Sequence, residues 1–321
     1  MTRTPITLWI DELTFAQPTL PRQYLELGKV HSGKSSTWLI MLAMTTVVIP
    51  AHNESQVIRR LLGQLAPATN SADFDIIVVA NGCKDNTAAL AAACGSSIRV
   101  LSIPTASKHA AITAADAVTA DFPRVYVDAD VELTAADVDA LVSALSQPGV
   151  LAAAPERVLD LTGRPWPVRW YYDVWNRLPE ARCALWGRGV IAVNDAGQSR
   201  IAELPPLLGD DLAVSLLFAP PEQVIAAGAR VRIHTPRTVG DLLRRKARSA
   251  TGIDQLRYNE KLPSVRRTTL ADLAAIAGAE RRMIPRVALF LAIGMLARLT
   301  ARRYVARADY STWLRDESSR G

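Results

Sequence analysis

Little in this chain speaks for cross-links or a structural zinc. Its 321 residues include three cysteines, Cys83, Cys94 and Cys183, odd in number and far apart. That spacing fits neither a zinc knuckle nor a disulfide scaffold and points to a reducing compartment. Aromatic residues make up only 6% of the chain, and there are four histidines. Long apolar runs are also scarce. The uncharged stretch 35–51 has 17 residues, the lower limit for a membrane-spanning helix, and its β-branched half stops at Pro50 as a buried strand does. The run 287–297, 11 residues bracketed by Arg286 and Arg298, is too short to cross; a helix lying at a membrane surface and a core helix with basic flanks both fit it. No cleavable signal is apparent, because Arg3 is followed by Asp11, Glu12 and prolines rather than an apolar segment.

What is present is a globular composition, 49% hydrophobic and 21% charged, which excludes disordered and collagen-like chains. Charge is unevenly spread. Residues 230–307 hold 18 Lys/Arg against 5 Asp/Glu, a net of +13 in a chain of +6, so the rest carries −7. A basic end of this kind suits anionic lipid or diphosphate groups. Nucleic acid is not expected as a partner, since no nucleic-acid motif accompanies the charge and aromatics are few there.

From Met44 onward, Val/Ile runs alternate with helix-period segments: strands at 46–49, 74–79, 98–103 and 125–127, helices at 54–65, 85–94 and 107–118. Strands that read as continuous apolar runs are covered on both faces, so an α/β fold with a doubly wound, mostly parallel sheet is expected. In such sheets ligands bind beyond the carboxyl ends of the strands. Further on, Thr134 reads as the N-cap of a helix to 145, followed by a strand at 150–155, an aromatic segment at 166–175, a Gly187-Arg188-Gly189 turn, a helix at 211–218, a strand at 231–234 and basic C-terminal helices. Residues 1–43 are expected to be a poorly ordered extension, 44–265 the catalytic domain, 266–307 basic and apolar helices suited to a membrane surface, and 308–321 a tail. Met41 and Met44 stand just before the regular pattern, and native translation is expected to begin at one of them.

Asp128-Ala129-Asp130 ends a buried strand and can direct two carboxylates to one hard divalent cation, which prefers oxygen ligands and keeps positions for phosphate. Lys108, at a helix start facing the strand ends, is placed to touch a nucleotide. Arg188, between two glycines that permit close approach, and Trp186, with the aromatics of 166–175, are acceptor-site candidates; the same aromatics also fit a helix burying a core face. Gly28-Lys29-Val30-His31-Ser32-Gly33-Lys34-Ser35 satisfies the phosphate-loop expression of nucleotide triphosphatases, but that motif requires a strand before it and a helix after it.

Thr46-Val47-Val48-Ile49-Pro50-Ala51-His52-Asn53-Glu54, Ala80-Asn81-Gly82-Cys83-Lys84-Asp85, Ser107-Lys108-His109, the Asp128-Ala129-Asp130 turn, Gly209-Asp210-Asp211 and Arg244-Arg245-Lys246-Ala247-Arg248 occur in this order. Over residues 44–250 the chain resembles the inverting glycosyltransferases of family 2, with the GT-A fold. The resemblance implies transfer of a sugar from a nucleotide-diphosphate donor to a hydroxyl acceptor, with Mg²⁺ or Mn²⁺ as cofactor. It implies that Pro50, Ala51, Asn53, Glu54, Asn81 and Asp85 hold the nucleobase and ribose. Asp128 and Ala129 would lie along the donor, Asp130 with Asp128 would ligate the metal, and Arg245 and Arg248 would approach the diphosphate. Asp211 would be the catalytic base, with Asp210 beside it. The chain departs from the family pattern at Ala80-Asn81 in the second turn, at Arg245 in place of Gln and at Ser249 in place of Trp. A lipid-linked or polysaccharide-precursor acceptor and a cytoplasmic location at the inner face of the cell membrane complete the expectation. A nucleotidyltransferase on a related sheet is the alternative.

Overall fold

Strands form where β-branched runs are bounded by turn residues, and helices take the segments of period 3.6 between them. The computed structural model describes residues 27–32, 35–40, 44–69, 74–204, 210–256 and 268–306. Two units separate, Met1–Met44 and Thr45–Gly321. In the first, β1 (Leu27–Ser32) and β2 (Ser35–Ile40) pair antiparallel, with Leu27 opposite Ile40 and Ser32 opposite Ser35. Residues 27–32 and 35–40 therefore hold strands where no strand period was read; such strands depend on cross-strand pairing that composition does not display. The phosphate-loop motif runs into β2 rather than into a helix whose N-terminus could take a phosphate, so its required context is missing. Residues 1–26, the expected start sites other than Met44, and the tail 308–321 lie outside the described residues.

The second unit is built on a seven-stranded sheet of β3 (Thr45–Ala51), β4 (Phe74–Asn81), β5 (Ile98–Ile103), β6 (Arg124–Val127), β7 (Ala152–Asp160), β8 (Val190–Val193) and β9 (Gln223–His234). Their order is β5-β4-β3-β6-β8-β7-β9. All neighbours are parallel except β8, which runs against both β6 and β7. The chain has the GT-A fold, a mostly parallel sheet wound on both faces. Along β3, Val47, Ile49 and Ala51 pack on one side with Leu61, Leu62 and Leu141 of helices Ile58–Thr69 and Ala135–Leu145. Val48, with Ile77, Val79 and Tyr126, meets Ala111 and Ala115 of helix Lys108–Asp116 on the other. Each such Val, Ile or Leu contributes about 1.5–3 kcal/mol by leaving water. Thr134 caps its helix as expected, forming a reciprocal box with Asp137.

One alternative of the sequence reading is decided here, and two differences from it bear on function. The aromatic segment is the helix Trp166–Trp175, and Tyr171, Tyr172 and Trp175 face a second core formed with helices Val239–Leu256, Leu270–Ala279 and Ile284–Ala306. Tyr171 stacks on Phe290, ring centres 4.8 Å apart. β7 runs on to Asp160, five residues beyond the expected end, because a bulge at Pro155/Glu156 lets pairing with β9 resume after the proline. Finally, the 11-residue uncharged run sits within a helix of 23 residues, since arginine is a good helix former and does not end one. The segment Arg281–Ala301, which overlaps it, is long and apolar enough to cross a membrane by length and composition alone.

Candidate active site

The ends of β3 and β4 are knitted into one pair of turns. Pro50 and Ala51 finish β3, and Asn53 takes φ 51°, a left-handed conformation that asparagine tolerates. Its side-chain oxygen accepts the Lys84 N–H at 2.7 Å, while its own N–H donates to Cys83 Sγ at 3.3 Å. Asp85 accepts from the Ser55 N–H (3.2 Å), the Thr87 N–H (3.1 Å) and the Thr87 hydroxyl (2.5 Å). Burial pushes the Asp85 carboxyl up, but these bonds from Thr87 and Ser55 outweigh it and hold the group below its ordinary value. Glu54 is buried, and its N–H donates to Thr87 Oγ1 at 2.8 Å. Asn81 turns inward and donates to the Ala51 carbonyl at 3.0 Å. Gly82 has φ 57°, and a Cβ there would lie 2.8 Å from the Ala106 backbone, so no other residue fits. Beside these turns is a cavity of about 360 Å³ lined by Gly82, Cys83, Lys84, Asp85, Ser102 and Pro104. Asn81 thus braces the turns, whereas Asp85 both braces them and lines the cavity.

The carboxylates meet at the end of β6. The Asp128 N–H donates to the Gly189 carbonyl at 2.7 Å. Gly189, at φ 68°, packs so closely that a Cβ would approach Val131 Cγ1 to 2.7 Å and Asp128 Oδ2 to 3.2 Å. Ser107 caps the helix that Lys108 opens, its Oγ accepting from the Ala110 N–H. From there Lys108 Nζ reaches Asp128 Oδ1 at 2.8 Å and Asp211 Oδ1 at 2.9 Å, bridging carboxylates 83 positions apart in sequence. Asp211 belongs to helix Asp210–Leu216; the Asp210 side chain lies outside the described residues, as does Gly209. Ala129 is buried between the two aspartates of its turn. Arg60 Nη2 donates to the Asp130 carbonyl at 3.1 Å and so ties the turn to the helix Ile58–Thr69.

These charges split the two carboxylates. Burial, partly offset by Lys108 and reinforced by Asp211 and Asp130, pushes Asp128 up to about 6. The Lys108 ammonium pulls Asp211 below its ordinary value against the effect of burial, with Arg248 and Arg245 adding to the pull. Those two arginines, three residues apart on helix Val239–Leu256, share a helix face and direct positive charge toward Asp211. Asp211 is thereby kept ionised, beside guanidinium groups that suit a diphosphate.

Among the described residues no three His, Cys, Asp or Glu side chains converge as a metal cage. The donor set of Asp128 and Asp130 nonetheless fits a hard divalent cation of the kind held by one or two carboxylates together with substrate phosphates. His234, at the end of β9, is engaged at both ring nitrogens, by Glu132 at 2.6 Å and by Asp160 at 3.3 Å. Glu132, which also pairs with Arg60 at 3.5 Å and Arg232 at 3.6 Å, anchors the chain just after the aspartate turn. The spacing of Asp128, Asp130 and Glu132 was a signal for it; nothing in the sequence signalled Arg60.

The acceptor expectation for Arg188 is corrected. Arg188 is 3% exposed, and its guanidinium donates to the carbonyls of Ala184 (2.9 Å), Pro155 (2.9 Å) and Arg182 (2.8 Å). It braces the loop before β8 from within, and the flanking glycines serve the turn, with φ 70° and 68°. Trp186 is half-buried, its ring 6.0 Å from that of Trp175.

Residues 46–199 match the description Glycosyl transferase family 2. The chain carries a glycosyl transferase family 2 domain. The protein is accordingly a glycosyltransferase, and the match covers β3 through the helix after β8. Among solved structures, glucosyl-3-phosphoglycerate synthase from Mycobacterium tuberculosis, in complex with Mn²⁺, UDP and glucosyl-3-phosphoglycerate, is similar at 23% identity and TM-score 0.50, over 68% of this chain and 81% of that one. A mannosyltransferase from Pyrobaculum calidifontis, in complex with GDP-Man and Mn²⁺, is similar at 16% identity and TM-score 0.53, over 83% of this chain and 81% of that one. At these identities the likeness is one of fold. No curated protein matches the chain in sequence.

Proposed function

We propose that the family 2 domain transfers a sugar from a nucleotide-diphosphate donor to a hydroxyl acceptor with inversion, with Mg²⁺ or Mn²⁺ as cofactor. The observation that carries this reading is the convergence of Asp128 and Asp211 on Lys108, with Arg245 and Arg248 close enough to bias Asp211. The likeness to two enzymes crystallised with Mn²⁺ and a nucleotide or nucleotide-sugar supports it.

The donor's base and ribose lie in the cavity beside Gly82, Cys83 and Asp85, with Pro50, Ala51, Asn53, Glu54 and Asn81 shaping the turns that frame it. Asp130, with Asp128, holds the metal, which when bound neutralises charge on the departing diphosphate. Arg245 and Arg248 add fixed positive charge at the same place. Asp211 takes the proton of the acceptor hydroxyl as it attacks the anomeric carbon; a general base contributes about 10² to 10⁴-fold, so positioning must supply much of the rest. Trp186 flanks the acceptor side. A lipid-linked or polysaccharide-precursor acceptor is favoured because the C-terminal helix exposes apolar surface. Three free thiols suit a reducing, cytoplasmic setting.

A panel of nucleotide-sugars tested for thermal stabilisation with and without Mn²⁺ identifies the donor, since a specific ligand stabilises the native state by mass action. One donor should raise the melting temperature only when the metal is present. Indifference to every member of the panel contradicts the reading.

A further inference from the structure

The last helix, Ile284–Ala306, carries no charged residue from 287 to 297, yet only one side of that stretch is covered. Met283, Val287, Ile293, Ala297 and Ala301 are buried toward the domain, where the helix packs on Trp166–Trp175 and Val239–Leu256. On the opposite side Ile284 is 56% exposed, Leu291 44%, Met295 60%, Leu296 51% and Leu299 49%. At 3.6 residues per turn these five side chains fall within an arc of about 140°, with the buried ones on the other side. An all-apolar helix in a soluble setting is ordinarily buried all round. Water-facing apolar surface of this kind, contiguous along four turns, marks a place where something else is meant to sit.

The charges around the stripe say what. Arg281 and Arg282 are exposed at its start, and Arg298 is exposed near its end. Long basic side chains at the border of an apolar helix face suit a lipid interface, where the stripe enters the acyl boundary and the guanidinium groups meet anionic headgroups. The inner face is committed to the domain core through the Tyr171–Phe290 stack and the ion pair between Arg286 and Asp173. A spanning orientation would tear that face away, so the helix lies along the surface.

We propose that the face carrying Ile284, Leu291, Met295, Leu296 and Leu299 docks the protein in the plane of an anionic lipid surface, with Arg281, Arg282 and Arg298 reading its charge. This inference goes beyond the sugar-transfer reading and does not depend on it. The test is flotation of the full chain with phosphatidylcholine vesicles and with vesicles containing phosphatidylglycerol. The wild type is expected to float with the anionic vesicles and much less with the neutral ones. Met295→Glu with Leu299→Glu, both solvent-facing, should abolish flotation without changing the circular dichroism melt. Arg281→Gln with Arg282→Gln should weaken it by about 25-fold, at about fivefold per arginine. The proposal is overturned by a wild type that floats with neither vesicle, or by binding that the glutamate pair leaves intact. It is likewise overturned by retention of the protein in vesicles after alkaline carbonate, which means a spanning helix, or by a lipid-free dimer that the glutamate pair dissociates, which means a second copy covers the face. Nucleotide-sugar stabilisation, measured on the same preparations without lipid, reports on the sugar-transfer reading separately.

Discussion

Replacing Lys108 with methionine removes one ammonium from between two carboxylates while keeping the bulk of the side chain. The lysine makes charge-assisted bonds of 2.8 and 2.9 Å to Asp128 and Asp211, whose side chains are 33% and 36% exposed. Such a bond contributes about 1.5–3 kcal/mol, and partial exposure favours the lower figure, so Lys108→Met should cost about 3 kcal/mol. At about 2–4 °C per kcal/mol, the melting temperature should fall by about 6–12 °C. The same change has a second effect. In the wild type the ammonium occupies the space between the carboxylates, and the cavity left there measures only about 40 Å³. Without it, two carboxylates face each other with no ammonium between them, and Mn²⁺ alone should restore part of the lost stability, whereas the wild type should respond to Mn²⁺ chiefly when a donor is added. Calorimetric melts of both proteins with and without Mn²⁺ decide the matter. A variant that melts within about 1 °C of the wild type, or gains no more from Mn²⁺ than the wild type does, refutes the bridging role.

Gly189→Ala forces a side chain into a left-handed conformation and against Val131 and Asp128; strain of about 1–2 kcal/mol plus the steric conflict should lower stability, and displacement of Asp128 should lower turnover more than the loss of fold explains. Urea unfolding beside turnover checks this, and a variant with full activity contradicts the packing account. The raised pKa of Asp128, about 6 against an ordinary value of about 3.9, means that the native form binds more protons than the unfolded chain between those limits. Its contribution to stability is therefore present at low pH and lost as pH rises toward about 6. Asp211, held below its ordinary value, acts in the opposite sense: its contribution is present above that value and lost at lower pH. Urea midpoints should thus show Asp128→Asn gaining on the wild type from about pH 4.5 to about pH 6.5, and a shift the other way sinks the assignment.

The strands near 46–49, 74–79 and 125–127 were legible as nearly continuous apolar runs and 98–103 was placed to the residue, whereas β8 was not read and only the last four residues of β9 were. The helix expected at 54–65 begins at Ile58 instead, since Asn53 turns left-handed and residues 55–57 form a turn. Site legibility followed the same division. Asp128 and Asp130 announce themselves by position at a strand end, whereas the meeting of Lys108 with Asp211 depends on a contact across 103 residues that no spacing reveals. Arg188 misled because flanking glycines signal close approach without saying whether a ligand or the protein's own carbonyls come near. The length of the last helix was hidden by its arginines, which interrupt hydropathy but not helix.

In the proposed reaction Asp211 removes a proton from an acceptor while Asp130 and the arginines serve the donor. Release of nucleoside diphosphate from the stabilising nucleotide-sugar, followed in the wild type and in Asp211→Asn, addresses it most directly. Asp211→Asn should still gain thermal stability from donor and Mn²⁺ yet release diphosphate at least about 100-fold more slowly. Turnover at the wild-type rate in that variant would contradict it.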